Sequence, residues 1–132
     1  MIIKPEDFLG FVDKDDEQSK QRLRSETAAE SVWEEIIVKY PHLKRAVTLN
    51  KNLPEAILRL LAKDQDPLVR TDIAMKRTLP REVFVLLAED SDELVRARIA
   101  WNKKTPLDLL QKLAADVSQV VAEPAKKQIA HK

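Results

Sequence analysis

The sequence contains no cysteine and only one glycine, Gly10, among its 132 residues. Without cysteine the chain has no disulfide, no thiolate nucleophile, no iron–sulfur cluster and no cysteine-ligated zinc site. One glycine is too few for the glycine-rich loops that bind phosphate groups. No apolar run approaches the roughly 18 residues of a membrane span, so the sequence predicts a cytoplasmic protein with no membrane association.

Aromatic residues are also few, at 5%, whereas 34% of the residues are charged and 44% are hydrophobic. This composition is typical of a helix-rich globular domain. The net charge of +1 hides an asymmetry, because residues 1–40 carry six Lys/Arg against ten Asp/Glu and residues 41–132 carry seventeen against twelve. The charge therefore does not single out a polyanionic partner.

The chemistry-bearing residues form no recognisable catalytic or metal-binding pattern. His42 and His131 are the only histidines, and neither has a second ligand at a suitable spacing. No serine lies in a nucleophile elbow or beside a paired base. The sequence predicts no catalytic residue, no metal, no cofactor and no enzymatic activity.

A repeat of 26 residues organises most of the chain, beginning with the dipeptides Leu53-Pro54, Leu79-Pro80 and Thr105-Pro106. Proline is well tolerated in the first turn of a helix, so a helix is predicted at each of these sites, the first over Pro54–Lys63. Asp66 is a suitable N-cap for a second, shorter helix in the same repeat. Neither helix can bury its apolar face alone, so the repeats are predicted to stack into an all-α fold, a short α-solenoid of three to four two-helix repeats.

The predicted boundaries follow from this spacing. Residues 1–26 form an N-terminal segment or cap with a short helix over Pro5–Val12, and the repeats occupy residues 27–52, 53–78, 79–104 and 105–124. Thr27–Glu30 matches a capping box, which predicts the start of the first repeat helix there. Glu123-Pro124 is predicted to interrupt the last helix, and residues 125–132 are predicted to be a fraying basic tail.

The stretches Asn50–Arg70 and Thr78–Arg96 resemble bacterial leucine-rich-repeat-variant and short HEAT-like repeats, over roughly residues 28–122. The resemblance implies a right-handed α-α superhelix that serves as a binding scaffold. The chain departs from the pattern in lacking the N-terminal cysteines with which some members hold an iron–sulfur cluster. Ala122 stands where the other repeats have arginine, which is typical of a terminal cap.

Six charged residues recur at the 26-residue step, and recurrence favours structural roles over a catalytic one. The aspartates are expected to cap helices and the arginines to pair with a carboxylate of a neighbouring repeat. These predicted inter-repeat residues are Asp64, Asp66, Arg70, Asp90, Asp92 and Arg96.

One row of the repeat, Leu49, Met75 and Trp101, is large and apolar, and basic residues follow it. Two interpretations remain open: the apolar row packs between repeats while the basic residues complement helix C-termini, or the rows line up as a partner-binding face. Apolar side chains that vary between repeats are further candidates, although they could instead contact the terminal segments. The partner-binding candidates are Lys51, Met75, Lys76, Arg77, Val85, Trp101, Lys103, Lys104 and Leu107.

The sequence therefore favours a monomeric protein-binding scaffold that docks one macromolecular partner on the repeated face. An inhibitor, immunity-type or adaptor role follows by analogy with small repeat proteins. The alternative is a nucleic-acid-binding module that uses the basic residues on phosphates, and steep salt dependence of binding would distinguish it.

Overall fold

The computed structural model describes residues 1–132, and the chain is all-α, as predicted. No helix is long and apolar enough to cross a bilayer. Backbone contacts divide the chain into two compact units, the N-terminal unit Met1–Leu61 and the C-terminal unit Ala62–Lys132. Besides a 3₁₀ helix at Pro41–Leu43, the helices are α1 (Pro5–Asp13), α2 (Glu17–Ser25), α3 (Glu30–Lys39), α4 (Lys44–Thr48), α5 (Glu55–Ala62), α6 (Pro67–Ala74), α7 (Arg81–Ala88), α8 (Glu93–Trp101), α9 (Leu107–Leu113) and α10 (Gln119–Ala130).

In the N-terminal unit, α1 packs against both α2 and α3. Between α1 and α3, the rings of Phe8 and Trp33 meet edge to face with centroids 5.6 Å apart, and both side chains are fully buried. The helix α2 was not predicted, because Leu23 is its only large apolar residue. It begins at an N-cap, Asp16, whose carboxylate accepts a hydrogen bond from the Ser19 backbone N–H at 2.7 Å.

The capping box predicted at Thr27–Glu30 is wrong. The Ile2 N–H donates to the Thr27 carbonyl at 2.7 Å, and Ile2 forms a parallel bridge with Ala28. This pairing, together with the burial of the Ile2 side chain, holds residues 27–28 in extended backbone. The helix α3 therefore begins at Glu30, after an N-cap alanine that makes no side-chain hydrogen bond.

A carboxylate on α1 is held by two donors at the end of α3. Lys39 Nζ and Tyr40 Oη each donate to Glu6 Oε2 at 2.8 Å. The hydrogen bond from Lys39, followed by that from Tyr40, lowers the pKa of Glu6 from 4.5 to about 2. Because the folded-state pKa is below the unfolded value, the contribution of Glu6 to stability is present above the unfolded pKa and is lost as the pH falls toward the folded one.

We expect the difference in free energy of unfolding between the wild type and Glu6→Gln to be constant above about pH 5 and to shrink as the pH falls to about 2. Urea denaturation across this range measures it. Tyr40→Phe removes one donor, so it should raise the pKa of Glu6, which NMR titration of the side-chain carboxyl reports. A difference that does not change with pH would contradict the assignment.

In the C-terminal unit, α8 packs against α6, α7 and α10, and α9 packs against α7 and α10. Asp66 and Asp92 are the N-caps of α6 and α8, and each accepts a hydrogen bond from the backbone N–H two residues ahead, at 2.9 and 2.8 Å. The second helices of these two repeats, α6 and α8, thus begin where the sequence predicts them. The buried apolar side chains larger than alanine include Val69, Ile73, Val83, Phe84, Leu87, Val95, Ile99, Leu109, Leu110, Leu113 and Val121.

Pro124 does not interrupt the last helix, contrary to the prediction, and residues 125–130 are helical instead of a fraying tail. Pro124 removes one backbone hydrogen bond. Packing offsets this loss, because Val121, Ala122, Pro124 and Ala125 are all buried and α10 packs against α8 and α9. Helix propensity alone therefore understated the stability of α10.

Candidate functional site

Two arginine–aspartate pairs of the C-terminal unit have the same geometry, one 26-residue step apart. Arg70 donates from Nε and Nη2 to the two carboxylate oxygens of Asp90, at 2.8 and 3.1 Å, and Arg96 does the same with Asp116 at 2.8 and 3.2 Å. The third nitrogen, Nη1, donates to the carbonyl of the residue six positions earlier, at 2.7 Å for Arg70 and 2.8 Å for Arg96. The pairing lowers the pKa of Asp116 and raises that of both arginines. All three nitrogens of each guanidinium therefore donate hydrogen bonds to groups of this chain, which fixes the orientation of both pairs.

Amide side chains donate hydrogen bonds to backbone carbonyls at the C-terminal ends of α6 and α8. Asn102 Nδ2 donates to the carbonyls of Ala74 and Lys76 at 2.9 and 2.7 Å. Gln128, 26 residues later, donates to the carbonyls of Trp101 and Asn102 at 3.0 and 2.8 Å. These contacts bring the C-terminal end of α6 beside that of α8, and bring α10 beside the end of α8.

The same arrangement occurs separately in the N-terminal unit. Asn50 is fully buried, and its Nδ2 donates to the carbonyls of Leu23 and Glu26, each at 2.8 Å. Its Oδ1 accepts a hydrogen bond from the N–H two residues ahead, as does that of Asn102. Sequence reasoning placed Asn50 and Asn102 in one row of the repeat but gave them no role.

The apolar row faces solvent. Leu49, Met75 and Trp101 are 55, 56 and 55% exposed, so the interpretation in which they pack between repeats is wrong. Large apolar side chains are normally more buried, so the exposure of Met75 and Trp101 close together in the C-terminal unit is informative. About half of the surface of each side chain remains open to solvent.

Met75 and Trp101 line an open groove of about 330 Å³ in the C-terminal unit. The basic residues Arg77 and Lys103 and the buried amide of Asn102 complete the lining. We call this feature, defined by these five residues, the C-terminal groove. Its position follows from the Asn102 hydrogen bonds, because they hold the last turns of α6 and α8 together and leave the terminal side chains of both helices outside.

The other predicted candidates do not line the C-terminal groove. Lys104 is exposed beside it in sequence, whereas Lys76 is half-buried and burial lowers its pKa. Val85 is half-buried on α7 and Leu107 is partly exposed at the start of α9. Lys51 is exposed in the N-terminal unit.

Sequence reasoning missed a second exposed apolar row, Leu68, Leu94 and Val120, on α6, α8 and α10. Its signal was present, since the three residues are 26 positions apart. Leu94 precedes Trp101 by seven residues, so the two lie on one face of α8 about 10 Å apart. Arg98, which is exposed, lies between them on that helix.

No group of three or more His, Asp or Glu side chains converges where a metal ion could be held. No family model, curated protein or solved structure matches the chain. The C-terminal groove and its surroundings are therefore the features from which a function can be inferred.

Proposed function

We propose that the chain is a non-enzymatic, protein-binding α-solenoid of three to four short repeats that docks one macromolecular partner on the C-terminal groove. We further propose that this scaffold is monomeric and cytoplasmic and that it uses no cofactor. The recurrence of the same hydrogen bonds at Arg70 and Arg96, and again at Asn102 and Gln128, supports the stacking of repeats.

The observation that carries the proposal is the exposure of Met75 and Trp101 beside two basic side chains. Interfaces are enriched in Trp, Met and Arg relative to the remaining surface, and a few such residues supply most of the binding energy. An exposed indole increases neither the solubility nor the stability of a free monomer. A partner that covers the indole accounts for its presence.

Capture of partners from the native host tests the proposal. Purified wild type, Trp101→Glu and Val117→Glu are incubated with nuclease-treated lysate, and retained proteins are identified, purified and titrated. Val117 is 98% exposed and does not line the groove, so it is the matched control. We expect both substituted proteins to fold, and Trp101→Glu alone to weaken binding, by about 100-fold, as loss of a central interface residue does.

The proposal fails if no protein is retained, or if Trp101→Glu and Val117→Glu bind the retained protein equally. Nucleic-acid binding is the alternative, since the exposed Arg77, Lys103 and Lys104 could contact phosphates. In that case nucleic acid is recovered when nuclease is omitted, and its affinity falls steeply with salt concentration.

A further inference from the structure

The arginines of the C-terminal unit fall into two sets. Three of them pair with aspartates within the chain, whereas Arg77 and Arg98 form no ion pair. The exposed Lys103 and Lys104 also have no carboxylate partner. The three internal pairs are Arg70–Asp90, Arg81–Asp108 and Arg96–Asp116.

Helix capping does not account for these unpaired cations. A basic residue near a helix C-terminus is commonly explained by its attraction to the last carbonyls. Here the amides of Asn102 and Gln128 already donate to the final helical carbonyls, those of Ala74 on α6 and Trp101 on α8, and to one carbonyl just beyond each helix. Arg77 and Lys103 therefore remain available to an external anion.

We propose that the C-terminal groove binds an acidic segment of a partner protein that carries one large apolar side chain, an inference that rests on the proposed function. The thioether of Met75 and the indole of Trp101 suit an aromatic or branched aliphatic group. The groove, at about 330 Å³, is at the small end of the range for ligand sites, about 300–1,000 Å³. One anchoring side chain fits this size better than a bulky cofactor does.

Carboxylates flanking that side chain would be held by Arg77 and Lys103. Arginine pairs with carboxylates through two parallel hydrogen bonds, as Arg70 and Arg96 already do within this chain. A nucleic acid is less suited to the surface. The C-terminal unit carries 13 Lys/Arg against 11 Asp/Glu, and this small excess of positive charge is weak support for binding a phosphate backbone. Exposed apolar side chains also lie among its basic residues.

A random peptide library displayed on phage is the probe. It is selected on wild type, on Arg77→Glu/Lys103→Glu, and on the control Lys112→Glu/Lys132→Glu, which makes the same change in net charge at exposed lysines outside the groove. We expect wild type and control to enrich peptides with Asp or Glu beside Phe, Leu or Trp. The groove variant should bind the resynthesised peptides at least about 100-fold more weakly, because it removes both cations and adds like charge.

Two further measurements test whether the bound peptide contacts Trp101 and whether its carboxylates are needed. The tryptophan emission of the wild type should shift to the blue on binding, because Trp101 is the exposed one of two tryptophans and Trp33 is fully buried. Replacing each Asp and Glu of a selected peptide by Asn and Gln should weaken binding at least about tenfold.

The inference is overturned if the selected peptides lack acidic residues, if no peptide is selected, or if the groove variant binds them as tightly as the control does. It is overturned in favour of nucleic acid if an oligonucleotide binds instead with steep salt dependence. It is overturned in favour of a second copy of this chain if sedimentation shows self-association that Arg77→Glu/Lys103→Glu abolishes and the control variant does not. If capture yields a groove-dependent partner that lacks such an acidic segment, the proposed function stands and only this inference fails.

Discussion

Asn102→Asp is expected to lower the free energy of unfolding by about 3 kcal/mol, because it removes one buried and one partly buried hydrogen bond and leaves their acceptors without this donor. Asn102 is 8% exposed, and its Nδ2 bonds the carbonyls of Ala74 and Lys76. A carboxylate at this position still accepts the hydrogen bond from the Lys104 N–H. It faces the two carbonyl oxygens without a proton to donate, and its charge is desolvated.

Urea denaturation of the variant measures this loss, with Asn52→Asp as the matched control. Asn52 Nδ2 also donates to a carbonyl, that of Ser25 at 2.6 Å, but the side chain is exposed and water replaces the bond. We expect the control to lose about 1 kcal/mol or less. Equal losses in the two variants would show that the burial of Asn102 has no energetic consequence.

The pH dependence of the free energy of unfolding distinguishes the loss of the hydrogen-bond donor from the loss of the whole side chain at position 102. Once protonated, the carboxyl group that Asn102→Asp introduces can donate to one of the two carbonyls again, so part of the stability should return as the pH falls through its raised pKa. Asn102→Ala has no such group and should show no recovery. If the two variants respond to pH alike, the destabilisation has another cause.

The role of Asn102 could have been predicted only in part from the sequence. The 26-residue step leads from Asn102 to Gln128, and both side chains are primary amides. That the amides bond carbonyls of the preceding helix end depends on how closely the helices approach, which the spacing does not specify. Lys76 occupies the same row and obscured the pattern.

The helices of the repeats were predictable because their signals are local. Asp66 and Asp92 precede their helices directly, and their carboxylates cap the backbone as expected. The start of α3 was not predictable, because it depends on the pairing of Ile2 with Thr27, which lies 25 residues away. The continuation of α10 through Pro124 depends likewise on tertiary packing.

The exposure of the C-terminal groove could not be read from periodicity. On α6 and at its C-cap, Met75, the apolar residues differ in burial: Val69 and Ile73 are buried, whereas Leu68 and Met75 are exposed. All four are apolar, so the helix has two apolar faces and the sequence alone does not show which one packs. The pairing of Arg96 with Asp116 was easier to predict from the sequence, because Asp116 continues the row of Asp64 and Asp90.

Asp116→Ala should lower the free energy of unfolding by about 2–4 kcal/mol, because it strands a largely buried guanidinium. The side chains of Arg96 and Asp116 are 17 and 12% exposed. Asp116 also accepts a hydrogen bond from the Ser118 N–H at 2.9 Å, which the variant loses. The two carbonyls that Arg96 still contacts neutralise none of its charge.

The exposed pair Arg81–Asp108 supplies the control, since it joins the same two residue types through two hydrogen bonds at the surface. Asp108→Ala should cost about 0–1 kcal/mol, and its effect should diminish in high salt, whereas that of Asp116→Ala should change little. A double-mutant cycle with Arg96→Leu isolates the coupling, and removing both partners should cost less than the sum of the single losses. If Asp116→Ala is no more damaging than Asp108→Ala, the recurring arginine–aspartate pairs do not hold neighbouring repeats together.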